Sequence, residues 1–248
     1  MTAPIALQLY SVREELQNNF EDTLEQIAAM GYEAVEAGAF AGDARRQARA
    51  YADQGLTVVA AHMPPPVGEN RQHVLDEMGE LGCTSLVVPW LDPQRYYQAV
   101  NGVRAAADLL NEAAAVCQDH GLRLLYHNHD FEFARIDGTP AFGLLVEALS
   151  PDVFFEVDTY WVQTAGSDAA EVVRGLGERA PLLHIKDGPL QRDLPMVAVG
   201  DGQMDFRSVI SAGEPYTEWL IVELDRCAGD MMAGVARSLD YLKTLQLT

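Results

Sequence analysis

The sequence predicts an α/β fold, a single (β/α)8 barrel spanning residues 1–248, from three observations. A helix–glycine–strand unit recurs, with glycines at 31, 55, 82 and 121, spaced 24, 27 and 39 residues apart. Eight short apolar runs of strand length are spread along the chain. Its 248 residues approach the ~250 usual for one such barrel. Helices alternating with strands imply parallel crossovers.

The elements follow in order. Ile5 to Tyr10 is an apolar opening run. Phe20–Met30 has helical periodicity and stops at Gly31, which supplies the left-handed residue that ends a helix. The strand Tyr32 to Glu36 follows. Arg45–Gln54 is the next helix, then Gly55 and the strand Leu56 to His62. Gln72–Leu81 ends at Gly82 before Cys83 to Trp90, and Ala105–Asp119 ends near Gly121 before Leu122 to His127. Val153 to Val157, Leu182 to Ile185 and Trp219 to Glu223 complete eight strands, with helices over Ala170–Leu176 and Val235–Leu245. Asp187 to Met204, rich in Gly, Pro and Asp, is expected as a long loop over one end. No GxGxxG follows a strand, which counts against a dinucleotide fold.

The net charge of −20, from 37 acidic and 17 basic residues, disfavours nucleic acid and anionic membranes as partners. Three scattered cysteines, Cys83, Cys117 and Cys227, support neither a disulfide framework nor a zinc–thiolate site. The first residues lack a basic n-region, and no apolar stretch is long enough to span a bilayer. These features give a cytoplasmic protein as the expectation.

In a barrel of this kind the active site lies at the carboxyl ends of the strands. Polar residues collect there: Glu36, His62, the run His127-Asn128-His129-Asp130-Phe131-Glu132, Asp158, His184 with Lys186, and Glu223. Asp158, His184 and Glu223 come from three consecutive strands and are expected to meet at one divalent cation. Mixed carboxylate and imidazole donors suit Mn²⁺, Zn²⁺, Co²⁺ or Fe²⁺ better than Ca²⁺.

The segments YHNHDFEF (126–133), FEVDTYWVQTAG (155–166), LLHIKDG (182–188), VGDGQMDF (199–206) and IVELDR (221–226) resemble the sugar phosphate isomerase/epimerase family, within the xylose-isomerase-like TIM barrel superfamily. LQLYSVR and GYEAVE also match, and the resemblance covers essentially the whole chain. It implies one divalent metal, manganese first, bound by Asp158, His184, Glu223 and a strand-five residue. Epimerases usually carry a glutamate at the strand-five end, where this chain has His127. The fourth ligand is then His127, His129 or Glu132, with Glu132 preferred.

The implied reaction is isomerisation or epimerisation of a small sugar or keto-sugar through an enediolate. A lyase or dehydratase acting on a keto-sugar or 3-keto glycoside is the alternative, and a non-catalytic sugar-binding barrel is the second. Glu223 and His129 are the proton carriers, and Lys186 supplies positive charge to a developing oxyanion. Glu36, His62 and His127 are expected to bind hydroxyls. Trp90, Trp161 and Phe131 are expected to pack on the apolar face of a sugar. Such barrels often pair, so the chain is compatible with a homodimer.

Overall fold

The computed structural model describes residues 3–38 and 42–246. Eight parallel strands close into a barrel: β1 (Ile5–Gln8), β2 (Ala34–Gly38), β3 (Thr57–His62), β4 (Ser85–Val88), β5 (Arg123–His127), β6 (Val153–Asp158), β7 (Leu182–Ile185) and β8 (Trp219–Val222). Each pairs with its sequence neighbours, and β8 closes on β1 through Ile5↔Leu220, Ala6↔Ile221 and Leu7↔Val222. A two-stranded hairpin, Arg135–Ile136 with Thr139–Pro140, stands outside the barrel.

The helices are α1 (Arg13–Asn18), α2 (Phe20–Met30), α3 (Ala44–Asp53), α4 (Arg71–Leu81), α5 (Pro93–Tyr96), α6 (Val100–Asp119), α7 (Ala141–Ala148), α8 (Thr159–Thr164), α9 (Ala169–Leu176), α10 (Phe206–Gly213) and α11 (Met231–Gln246). In α2 the buried positions Phe20, Thr23, Leu24 and Ile27 fall on one helical face. Gly31 ends it with φ 95° and Gly82 ends α4 with φ 70°, a conformation that costs other residues a clash at Cβ. Aspartates cap α3, α5, α8, α9 and α10, each accepting from a backbone N–H of the first turn. Each such cap contributes about 0.5–2 kcal/mol.

Every expected strand is present. The helices differ more: α6 begins at Val100, five residues before the expected start, and α1, α5, α7, α8 and α10 are additional. No helix or strand interrupts the stretch from 187 to 204, though a bridge pairs Asp187 with Val197.

Side chains alternate between the two faces of a strand, and that parity decides what fills the barrel. Ala6, Ala34, Ala60, Val87, Leu125, Leu182 and Ile221, with Phe154 against them, pack into an apolar plug across the lumen. The intervening residues, such as Leu7, Val35, Leu124, Leu183 and Leu220, face the helices in the outer core. Two residues beyond the plug, each strand returns to the lumen. Those positions are Gln8, Glu36, His62, Pro89, His127, Glu156, His184 and Glu223. Seven of the eight are polar. Among the described residues, no helix is long and apolar enough to cross a membrane.

Candidate metal centre

The polar tier is held together by its own hydrogen bonds. Gln8 Nε2 donates to Glu36 Oε2 at 2.7 Å. His62 Nε2 lies 2.8 Å from Glu156 Oε2, and His127 Nδ1 lies 3.0 Å from the same oxygen. The His184 ring is clamped on both edges. Its Nε2 meets Glu36 Oε2 at 2.7 Å and Glu156 Oε2 at 3.0 Å, and its Nδ1 meets Glu223 Oε2 at 2.8 Å. Strand register produces these meetings, since His127 lies beside Glu156 and Asp158 beside His184.

Four ligand atoms, one each from His127, Asp158, His184 and Glu223, lie within 4.8 Å of one another, and all four residues are buried. A second group of His62, His127, Glu156 and His184 overlaps it. The pattern of occupied ring edges separates the two. Glu156 takes His127 Nδ1, so Nε2 of that ring is left facing Asp158 Oδ2 at 3.7 Å. Glu36 and Glu156 take His184 Nε2, so Nδ1 is left on the Glu223 side. Metal-binding histidines characteristically donate their other N–H to a carboxylate.

The donor set fits a divalent cation on a further ground. Glu36 Oε1, Glu156 Oε1 and Asp158 Oδ2 are buried and accept no hydrogen bond, although Lys186 Nζ approaches Asp158 Oδ2 to 3.0 Å. Buried carboxylate oxygens without donors are costly unless a positive charge serves them.

The electrostatics follow the geometry. Burial opposes ionisation of Glu223, but the charges of Lys186 and His184 outweigh it and hold the carboxyl well below the usual range. Burial likewise opposes charge on Lys186, yet Asp158, Asp225 and Glu223 hold it well above the ordinary lysine value. Burial disfavours the His184 imidazolium, and Glu156, Glu223 and Glu36 reverse that, raising it well above the ordinary value. A cation held by this group would displace that proton, because imidazole ligates in its neutral form. Burial drives His127 down to about 3 and His129 well below the ordinary histidine value, so both are neutral. Burial raises Asp158 to about 6 and, with Glu156 beside it, Glu36 to about 7.

Above the polar tier opens a cavity of about 470 Å³. Its lining includes the expected residues His62, Trp90, His127, His129, Trp161, Lys186 and Glu223. Lys186 Nζ is bound to Glu223 Oε2 at 2.6 Å and to Asp158 and Asp225, each at 3.0 Å. Glu36, Asp158 and His184 lie buried below the cavity. Phe131 stacks on His129 with ring centroids 5.1 Å apart and is not part of the lining.

Glu132 departs from the expectation that it supplies the strand-five ligand. It sits in a short helical turn, Phe131–Phe133, that carries its carboxyl away from the other three residues. Oε1 accepts from the Tyr126 hydroxyl at 2.6 Å, and Oε2 accepts from the His129 amide at 2.9 Å. It joins neither ligand group. Of the strand-five candidates, His127 is the one that joins the group of four. Two residues that the strand-end criterion overlooked are Glu156 and Asp225. Glu156 stands two positions before Asp158 on β6, where strand parity puts the pair on one face, and Asp225 lies beyond the end of β8, two residues after Glu223.

The family model for xylose isomerase-like TIM barrels matches residues 24–245. The chain belongs to that family. An inosose dehydratase from Geobacillus kaustophilus is 24% identical over 218 residues, covering 78% of this chain and 69% of that protein. A sugar phosphate isomerase/epimerase from Parabacteroides distasonis superposes with a TM-score of 0.82 at 26% identity, covering 98% of this chain and 94% of the other. An L-ribulose 3-epimerase superposes with a TM-score of 0.69 at 16% identity, covering 98% and 94%. The barrel fold of this chain is thus shared with a sugar phosphate isomerase/epimerase and an L-ribulose 3-epimerase.

Proposed function

We propose that this protein is a divalent-metal-dependent isomerase or epimerase that acts on a small sugar or keto-sugar through an enediolate. One observation carries the reading: His127, Asp158, His184 and Glu223 converge with both imidazoles held at their far edges by buried carboxylates. Manganese is the preferred ion, with zinc, cobalt or iron compatible with the same donors. Bound there, the ion supplies Lewis acidity that weakens a C–H bond beside a substrate carbonyl.

The chain's own groups do the rest. Glu223, ionised and lining the cavity, accepts the proton as the C–H bond breaks and its electron pair moves onto the carbonyl oxygen. The Lys186 ammonium, 2.6 Å from Glu223, offsets the negative charge that develops. His129, neutral and also in the lining, gives a proton from one ring nitrogen as it takes one from solvent at the other, and Glu223 releases the proton it took to solvent. Return to the adjoining carbon gives an isomer, and return to the opposite face gives an epimer. Trp161 and Trp90 offer flat faces to the substrate's C–H surface. The kinship with an inosose dehydratase favours a second reading, in which the same enediolate expels a β-hydroxyl.

The test is solvent deuterium exchange. Metal-loaded protein is incubated in deuterium oxide with a panel of ketoses and 3-keto glycosides. Deuterium is expected at the carbon beside the carbonyl, and Asp158→Asn should abolish it. If no member of the panel exchanges, enolisation is not what this site does.

A further inference from the structure

We propose that the substrate is an uncharged polyol or keto-sugar and that the site excludes phosphate esters. The inference rests on the cavity being the substrate site and names the class of molecule it takes. Three features of the molecule point the same way.

Barrels of this architecture that bind phosphate commonly do so with the loops after strands seven and eight, where free backbone N–H groups cradle the anion. Here that loop carries its own anion. Asp187, the second residue beyond β7, is buried with 1% exposure. Its Oδ1 accepts from Gly188 N at 2.8 Å and Met204 N at 3.1 Å. Its Oδ2 accepts from Gly200 N at 2.9 Å and Gly202 N at 3.0 Å. Four amides of the loop are therefore committed inward. The amides after β8 are also spent: Leu224 N donates to Ser11 Oγ, and Asp225 N faces Met196 Sδ. The N-terminus of α8 is capped by Asp158 through Trp161 N.

The second feature is charge. Lys186 is the single lysine or arginine among the described residues lining the cavity, and three carboxylates hold it. The guanidinium over Trp161 belongs to Arg192, which pairs with Asp130. The one over Tyr10 belongs to Arg13, which donates to the Tyr10 and Asp225 carbonyls. A dianion entering would meet Glu223 and Asp225, and no Lys or Arg side chain of the lining is left uncommitted to receive it.

The third feature is the outer wall. Met63, Pro64, Pro89 and Trp90 form the side of the cavity contributed by β3 and β4. Two of these are prolines, which have no N–H to donate. This wall suits C–H surface and not a phosphate group.

The experiment is ligand-observed saturation-transfer NMR on the manganese-free, zinc-loaded protein, using D-fructose, D-psicose and D-tagatose, the 1- and 6-phosphates of each, and inorganic phosphate. At least one free ketose is expected to receive saturation. Its phosphates are expected to bind at least about tenfold more weakly, and inorganic phosphate is expected not to compete. A phosphate ester that binds more tightly than its parent overturns the proposal, and so does silence from every free ketose. Deuterium exchange on the same samples keeps the two readings apart. A free ketose that binds without exchanging its α-proton counts against enolisation and leaves this inference standing.

Discussion

Glu156 Oε2 lies 3.0 Å from His127 Nδ1, and this single contact decides which edge of the imidazole is offered to a cation. A carboxylate there fixes the proton on Nδ1 and leaves the Nε2 lone pair toward Asp158. Glu156→Gln keeps the shape but permits the opposite tautomer. Metal affinity is expected to fall by about 10–100-fold, with circular dichroism unchanged. Calorimetric titration with zinc checks it, and an unaltered affinity would remove Glu156 from the centre's design.

Metal should also stabilise the fold. Asp158 and Glu223, buried together with only Lys186 and His184 to balance them, gain a further positive charge when a cation binds. Ligand present at about 100 times its Kd adds ~2.7 kcal/mol by mass action. Thermal unfolding with zinc or manganese, against chelator-treated protein, should show a higher midpoint with metal. The increment should vanish in His184→Ala.

The loop after β7 has little tolerance for added volume. A methyl group at Gly202 would stand 2.1 Å from Asp187 Oδ1, inside the cradle of four amides. Gly202→Ala is expected to cost about 1–3 kcal/mol, the usual range for overpacking. Urea unfolding measures this, and Gly175→Ala, where nothing lies within 4 Å, serves as the control.

Glu132 gives a pH signature. Burial raises its carboxyl to about 8, above the unfolded value of about 4.3. A raised folded-state pKa means the protonated form is favoured on folding, so its contribution is complete below the unfolded pKa. That contribution declines as pH rises from there toward about 8. Glu132→Gln should flatten this part of the stability profile, measured by denaturant midpoints across the range. A profile that falls identically in both proteins would show that Glu132 folds in its ionised form.

The eight strands were legible because each apolar run is short, bounded and preceded by a helix stop. Asp158, His184, Lys186 and Glu223 were legible because polar residues at strand ends are conspicuous after apolar ones. Glu156 was not, since it sits inside FEVD and reads as a strand interior until parity with Asp158 is considered. The placement of Glu132 depends on a single helical turn, whose direction no spacing rule specifies. Of the helices, α8 and α10 are short and owe much to their aspartate caps, so periodicity over a long window passes over them.

The plug formed by Ala6, Ala34, Ala60 and their neighbours makes the barrel a blind well. Among the described residues, the exposed Trp90 and Tyr10 stand at the cavity's open side, and the plug closes its floor. On the proposed reading, substrate and product share that mouth, and a compound lodged at the rim halts arrival and departure together.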